Sequence, residues 1–273
     1  MSDDTCDVTG SLTFDRAAEY YDRTRGFTEE GHRRSIELLT AELRDRGRVL
    51  EIGVGTGQIA LSLQAHGIDV LGVDLSMPMM EEAVSKPGGE RLGLVQGDAT
   101  RLPFADGSVG AAYFRWVFHL IPRWQTATTE LARVVRQGGV IIASQGGYSG
   151  PRLEVQEHFA ARAGVPTDPV GLHWGDWAGL DAAMEGVGAH GRALPTFLDI
   201  ERDGLPLFLD ALERGLYSWT WTLPAEARHE AADETRAWAM ARFGPLEAVP
   251  LPTFEVIWRA YDLPMGSGTG TPD

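Results

Sequence analysis

Glu51, Gly53, Gly55 and Gly57 stand at alternate positions in the stretch Val49-Leu50-Glu51-Ile52-Gly53-Val54-Gly55-Thr56-Gly57. A short apolar run ends in an acid and enters a turn with glycine at every second place. Gln58 to Leu63 then continue in a helix-compatible pattern. Glycine lets a backbone approach a ligand closely, and a new helix offers free N–H groups at a positive dipole end. The spacing is not the Gly-x-Gly-x-x-Gly that cradles a dinucleotide pyrophosphate. A carboxylate at Glu51 suits an ammonium group better than a phosphate. It either holds the turn or meets that ammonium, directly or through water. Asp74 and Asp98 follow at the ends of two further apolar runs. A carboxylate has two oxygens for a diol, which fits Asp74, and Asp98 can accept from an exocyclic amine. Leu75, Met77 and Leu102 can sandwich a flat ring, Met being well suited to a ring face, and Ala99 lies beside Asp98. Arg115 and Trp116 end the next apolar run, near where the reactive end of such a ligand would lie.

These residues need a scaffold, and the chain supplies an alternating pattern. Short apolar runs at Val49–Ile52, Asp69–Val73, Leu92–Gln96, Val109–Arg115 and Val140–Ser144 read as strands. Helical spacing separates them: Thr28 caps one helix with Ile36, Leu39 and Leu43 on its apolar side, Ser76 caps another, and Pro122 to Arg136 forms a third. Strands alternating with helices imply a doubly wound α/β fold whose parallel sheet is covered on both faces. In such sheets ligands bind beyond the carboxyl ends of the strands, where strand order reverses. Further on, Thr13 to Arg25 and Trp177–Val187 read as helices, and Ala193–Ile200 and Phe254–Tyr261 as strands. Leu205–Phe243 reads as helical, with a break at Leu223-Pro224. The expected organisation is one domain. Residues 1–46 form an N-terminal helical lid, 47–203 and 247–264 the α/β core, 204–246 a helical cap insertion, and 265–273 a disordered tail.

Bulk properties narrow the partners. The 273 residues carry 24 basic and 39 acidic side chains, a formal net charge of −15. That surface repels phosphate backbones, so nucleic acid is not expected. Cys6 is the only cysteine, which rules out an internal disulfide and fits a reducing compartment. No apolar run approaches the ~20 residues that span a bilayer. The acidic first residues do not read as a secretory signal. A cytoplasmic protein, monomer or homodimer, with no membrane partner and no metal ligands, is the expectation.

Two segments carry a resemblance beyond the glycine turn. Gly97-Asp98-Ala99-Thr100-Arg101-Leu102-Pro103-Phe104-Ala105-Asp106-Gly107-Ser108 and Glu130-Leu131-Ala132-Arg133-Val134-Val135-Arg136-Gln137-Gly138-Gly139 are similar to segments of the class I S-adenosylmethionine (SAM) dependent methyltransferases, of the type-11 kind that acts on small molecules. The likeness runs from about Tyr21 to Gln145. It implies SAM as cofactor and a Rossmann-like, seven-stranded sheet whose last strand is antiparallel. Tyr21 and Arg25 form a Tyr-x-x-x-Arg pattern that looks like the family's lid, where the Tyr covers SAM and the Arg pairs with its carboxylate. A helix packed on the sheet would present the same pattern. Arg115-Trp116 departs from the small or polar residues of the family after strand four, so Arg115 is open to meeting the SAM carboxylate or shaping the acceptor pocket.

The implied reaction is displacement at a sulfonium methyl, with a hydroxyl, amine or carbon of a small-molecule acceptor as nucleophile. Alignment alone lowers such a barrier by roughly 7–11 kcal/mol, and a base is needed only when the acceptor must lose a proton. His119 and His173 are the candidate bases. His32, His66, His158, His190 and His229 read as surface or packing residues. Trp174, Trp177, Tyr217, Trp219, Trp221 and Trp238 provide aromatic surface for a pocket or a core. A protein of this fold that binds SAM without methyl transfer, as a cyclase or regulatory binder, would keep Glu51, Asp74 and Asp98. An NAD-dependent oxidoreductase would keep Asp74, but Glu51 and the glycine spacing favour SAM.

Overall fold

The computed structural model describes residues 10–146 and 148–265. The expected disordered tail lies outside these residues apart from Met265. Val49–Ile52 (β1) is buried along its whole length and becomes a central strand. It pairs in parallel with β2 (Val70–Asp74) on one side and β4 (Val109–Arg115) on the other. β3 (Gly93–Gln96) flanks β2, and β5 (Val135–Ser144) flanks β4. β9 (Trp258–Asp262) runs antiparallel between β5 and β6 (His190–Ala193). The seven strands lie in the order β3-β2-β1-β4-β5-β9-β6, so strand order reverses between β1 and β4.

Helices cover both faces because the strands are apolar on both. On one face, α2 (Glu29–Leu43) lays Ile36, Leu39 and Leu43 against Tyr113 and Trp258, with Leu63 of α3 (Gln58–Ala65) beside them. Thr28 caps α2, its hydroxyl accepting from the Gly31 N–H. On the other face, Leu131 and Val134 of α5 (Trp124–Val134) and Leu180 and Met184 of α7 (Trp177–Gly186) pack with Phe114, Ile141 and Tyr261. Ser76 caps α4 (Met77–Ser85) through the Met79 N–H. No helix among the described residues is long and apolar enough to cross a membrane.

The second half departs from the linear reading. The expected strands 193–200 and 254–261 each break in two. Their outer parts pair separately as a ribbon, β7 (Phe197–Ile200) with β8 (Thr253–Val256). Leu194 N–H still donates to Trp258 O, 3.1 Å, but Pro195 follows with no N–H to give, and the ladder stops there. The ribbon leaves the sheet and carries α8 (Leu205–Glu213) and α9 (Ala225–Phe243) between its strands. Residues 214–224 are not helical throughout: Gly215 has φ +72°, and only a 3-10 turn, Ser218–Thr220, forms between the helices. α6 (Gly150–Ala163), which the sequence reading left unassigned, packs Val155 and Phe159 against Phe208, Leu209 and Ala232 of this block.

The expected helix from Thr13 to Arg25 is two fragments, a 3-10 turn at Asp15–Ala17 and α1 (Tyr21–Thr24). Isolated helices this short do not sustain themselves. Tertiary contacts hold the pieces instead: Phe14 meets Tyr21 and Trp221 edge to face, with ring centroids 5.9 and 5.1 Å apart.

Candidate active site

A cavity of about 680 Å³ opens above the carboxyl ends of the central strands, beneath α1 and the helical block. Its floor is the glycine turn. Gly53 and Gly55 adopt φ +67° and +52° and both border the cavity. A side chain at Gly53 would overlap Val117, and one at Gly55 would come within 3.2 Å of Met79. Gly57 does not border the cavity; it starts α3 with φ +74°.

Asp74 borders the same floor. Its Oδ2 accepts from the Gly55 N–H, 2.8 Å, and its Oδ1 from the Ser76 N–H, 2.9 Å, so one carboxylate ties the turn after β1 to the start of α4. Each oxygen keeps a second lone pair for a ligand. Burial pushes this carboxyl above its ordinary value, against the backbone bonds. Asp98 accepts from the Thr100 N–H and hydroxyl, 2.8 and 2.6 Å, and borders the cavity with Ala99 and Leu75. Met77 points elsewhere, 44% exposed, and Met79 borders the cavity in its place. Leu102 is buried in the core and does not border it.

Glu51 lies behind the turn rather than in the cavity wall, 4% exposed, and accepts from the Tyr113 hydroxyl, 2.7 Å. Burial pushes its carboxyl up to about 8 despite that bond.

Residues 50–143 match a family described as a methyltransferase domain. The chain is 32% identical over 166 residues to the uncharacterized methyltransferase YcgJ of Bacillus subtilis, covering 60% of this chain and 58% of that one. It is 34% identical over 149 residues to a phosphatidylethanolamine N-methyltransferase of Cereibacter sphaeroides, covering 51% of this chain and 70% of the relative. The chain belongs to the class I SAM-dependent methyltransferases. A putative methyltransferase from Anabaena variabilis has the same fold, with a TM-score of 0.63 at 18% identity, covering 83% of this chain and 96% of that one. The chain spans less than two thirds of the length of the first curated relatives it matches, 58% of YcgJ among them.

In this family member both residues of the lid pattern, Tyr21 and Arg25, reach the cavity. The Arg25 guanidinium, however, donates to Leu216 O at 3.2 Å and Thr24 O at 3.1 Å and stacks 3.9 Å over the Tyr217 ring. Asp22, which the sequence reading passed over, accepts from Thr56 Oγ1 and Gln58 Nε2, 2.6 and 2.8 Å, and pairs with Lys86. Lys86 is the only lysine in the chain, the one signal in the sequence that marks this pair.

Arg115 and Trp116 border the cavity at the end of β4. The guanidinium lies against both the Phe27 and Trp116 rings, 3.8 Å from each centroid, with the two rings tilted by 58° to each other. Burial pushes its pKa down to about 10, so it stays charged at neutral pH. Trp116 has φ +54° and is the only non-glycine with positive φ among the described residues.

His119 borders the cavity with its ring 4.0 Å from that of Trp174. Burial, helped by the charge of Arg25, holds its pKa down at about 3, so the ring is neutral. His173 is an exposed rim residue whose Nε2 is 3.6 Å from Asp168. Tyr217 and Trp219 face the cavity from the helical block, whereas Trp221 packs on Phe14 and Trp238 stacks on His158. Arg152, also missed, donates to Glu201 and to the Tyr217 hydroxyl, each at 2.8 Å.

Proposed function

We propose that this protein transfers a methyl group from SAM to a hydroxyl, amine or carbon of a small, flat acceptor held under the helical block. The observation that carries this reading is a single cavity that joins the glycine turn, Asp74 and Asp98 to a chamber walled by Trp174, Trp177, Tyr217 and Trp219. Its volume, about 680 Å³, lies within the range of ligand pockets, ~300–1,000 Å³.

The residues fit the family's cofactor. Gly53 and Gly55 form a left-handed floor where an added side chain would press on Val117 or Met79, both of which border the cavity. Asp74 offers free lone pairs to a ribose diol, Asp98 to an exocyclic amine, and Leu75, Met79 and Ala99 supply apolar surface to a purine. When bound, SAM supplies an electrophilic methyl group on its sulfonium. The protein's part is alignment and exclusion of water, with Tyr21 and the helical block closing over the reactants.

His119 is too weakly basic to hold a proton near neutrality, so its role in this reading is to accept a hydrogen bond and orient the acceptor. His173, exposed at the rim, serves the entrance. The net charge of −15 supports a small molecule over a nucleic acid.

The test is calorimetry with S-adenosylhomocysteine, then incubation with methyl-labelled SAM and a panel of phenols, amines and hydroxy acids. Saturable binding and label transfer to a panel member are expected. Absence of cofactor binding overturns the reading. Tight binding with no transfer to the physiological acceptor reassigns the protein to the non-transferring binders of this fold.

A further inference from the structure

Resting on the SAM reading, we propose that Arg115, and not the lid residue Arg25, receives the α-carboxylate of the cofactor. Four arginines border the cavity: Arg25, Arg115, Arg152 and Arg202. Arg25 is committed to Leu216 O, Thr24 O and the Tyr217 ring. Arg152 already has Glu201 as its counter-ion. Arg202 donates to Asp22 O and Arg25 O. Arg115 has neither an ion pair nor a hydrogen bond among the described residues, and its Nε and Nη2 are buried without a partner.

The two rings beside Arg115 do not remove this deficit. Phe27 and Trp116 flank the guanidinium with their own centroids 6.0 Å apart and their planes tilted by 58°, close enough for cation–π attraction. Rings offer no counter-charge, and the guanidinium N–H groups form a fork matched to a carboxylate. A buried charged donor without a partner is costly. Arg115 borders the cavity, so a carboxylate entering there supplies the missing anion. The nearby acids are already engaged. Asp199 accepts from Thr28 and from the Ile200 N–H, and Glu51 accepts from Tyr113.

Register points to the cofactor as the source of the missing anion. Ile52 pairs with Phe114, so one residue further Gly53 stands opposite Arg115. The amino-acid end of a ligand lying over the glycine turn comes to rest there. The left-handed backbone at Trp116 is an independent mark, since such strain persists where the surrounding structure over-determines it and clusters at ligand clamps.

The test compares S-adenosylhomocysteine with 5′-methylthioadenosine, which lacks the amino-acid end, by calorimetry on the full chain. Arg115→Gln is expected to weaken the first by about 10- to 100-fold while changing the second little, so their affinity ratio collapses. Arg25→Gln is expected to change both by one common factor. An unchanged ratio in Arg115→Gln, or a ratio that collapses in Arg25→Gln instead, overturns the proposal. Should Arg115→Gln not fold, the Arg25→Gln protein decides with decarboxylated S-adenosylhomocysteine. At least tenfold weaker binding than the parent compound is expected, and equal binding overturns the assignment. If neither nucleoside binds the wild-type protein, the SAM reading fails rather than the role of Arg115.

Discussion

Asp74 shows how a single carboxylate does two jobs. The sequence assigns it to a diol, and the structure adds that it clamps the glycine turn through Gly55 and the start of α4 through Ser76. Asp74→Ala is therefore expected to raise the dissociation constant for S-adenosylhomocysteine by about 10- to 100-fold. Calorimetry on the folded variant checks this, and an unchanged constant removes the ribose assignment. Glu51 makes a pH-dependent prediction. Its folded pKa of about 8 lies above the ordinary 4.5, so the folded state binds the proton more tightly than the unfolded chain. Its contribution to stability is complete below about pH 4.5, falls as pH rises, and is lost above about 8. Glu51→Gln, which has no such proton to lose, should show a flatter curve of melting temperature between pH 5 and 8. Parallel curves for the two proteins would show that Glu51 ionises normally.

Among the elements, α2 is anchored at its first turn by a residue from far along the chain. Asp199 of β7 accepts from the Thr28 N–H and hydroxyl, 3.1 and 2.5 Å. Gly31 is the price of that fit, because a side chain there would overlap the Asp199 carboxylate. Alanine is the better helix former by about 1 kcal/mol. Gly31→Ala is nevertheless expected to destabilise the protein, by about 1–3 kcal/mol of overpacking. Urea unfolding measures it, and a more stable variant would mean that Asp199 yields freely. Thr28 marks the start of this helix in the sequence, since a cap is a local device. Its partner on β7 was invisible, since nothing local links residue 28 to residue 199.

In the whole molecule, the helical block has an apolar cluster of its own, centred on Phe159, Phe208 and Leu209, apart from the clusters on the two sheet faces. Phe159→Ala should cost about 3–5 kcal/mol. The loss should appear in hydrogen exchange as faster opening of α8 and α9, with β1, β2, β4 and β5 still protected. Uniform acceleration across the chain would mean that the block and the sheet unfold as one unit. The alternation of strand and helix, the glycine turn, the caps at Thr28 and Ser76, and the three acids at strand ends were all legible from the chain alone. Each depends on residues a few positions apart, where backbone geometry and periodicity act. The packing decided what those rules do not reach. It turned Met79 rather than Met77 to the cavity, drew α6 into the helical block, and split two long strands into sheet and ribbon. It also engaged Arg25 with Leu216 and Tyr217 while leaving Arg115 Nε and Nη2 without a partner. Which arginine keeps its donors free depends on acceptors such as Leu216 O, 191 positions from Arg25 in the chain, and only folding brings them together.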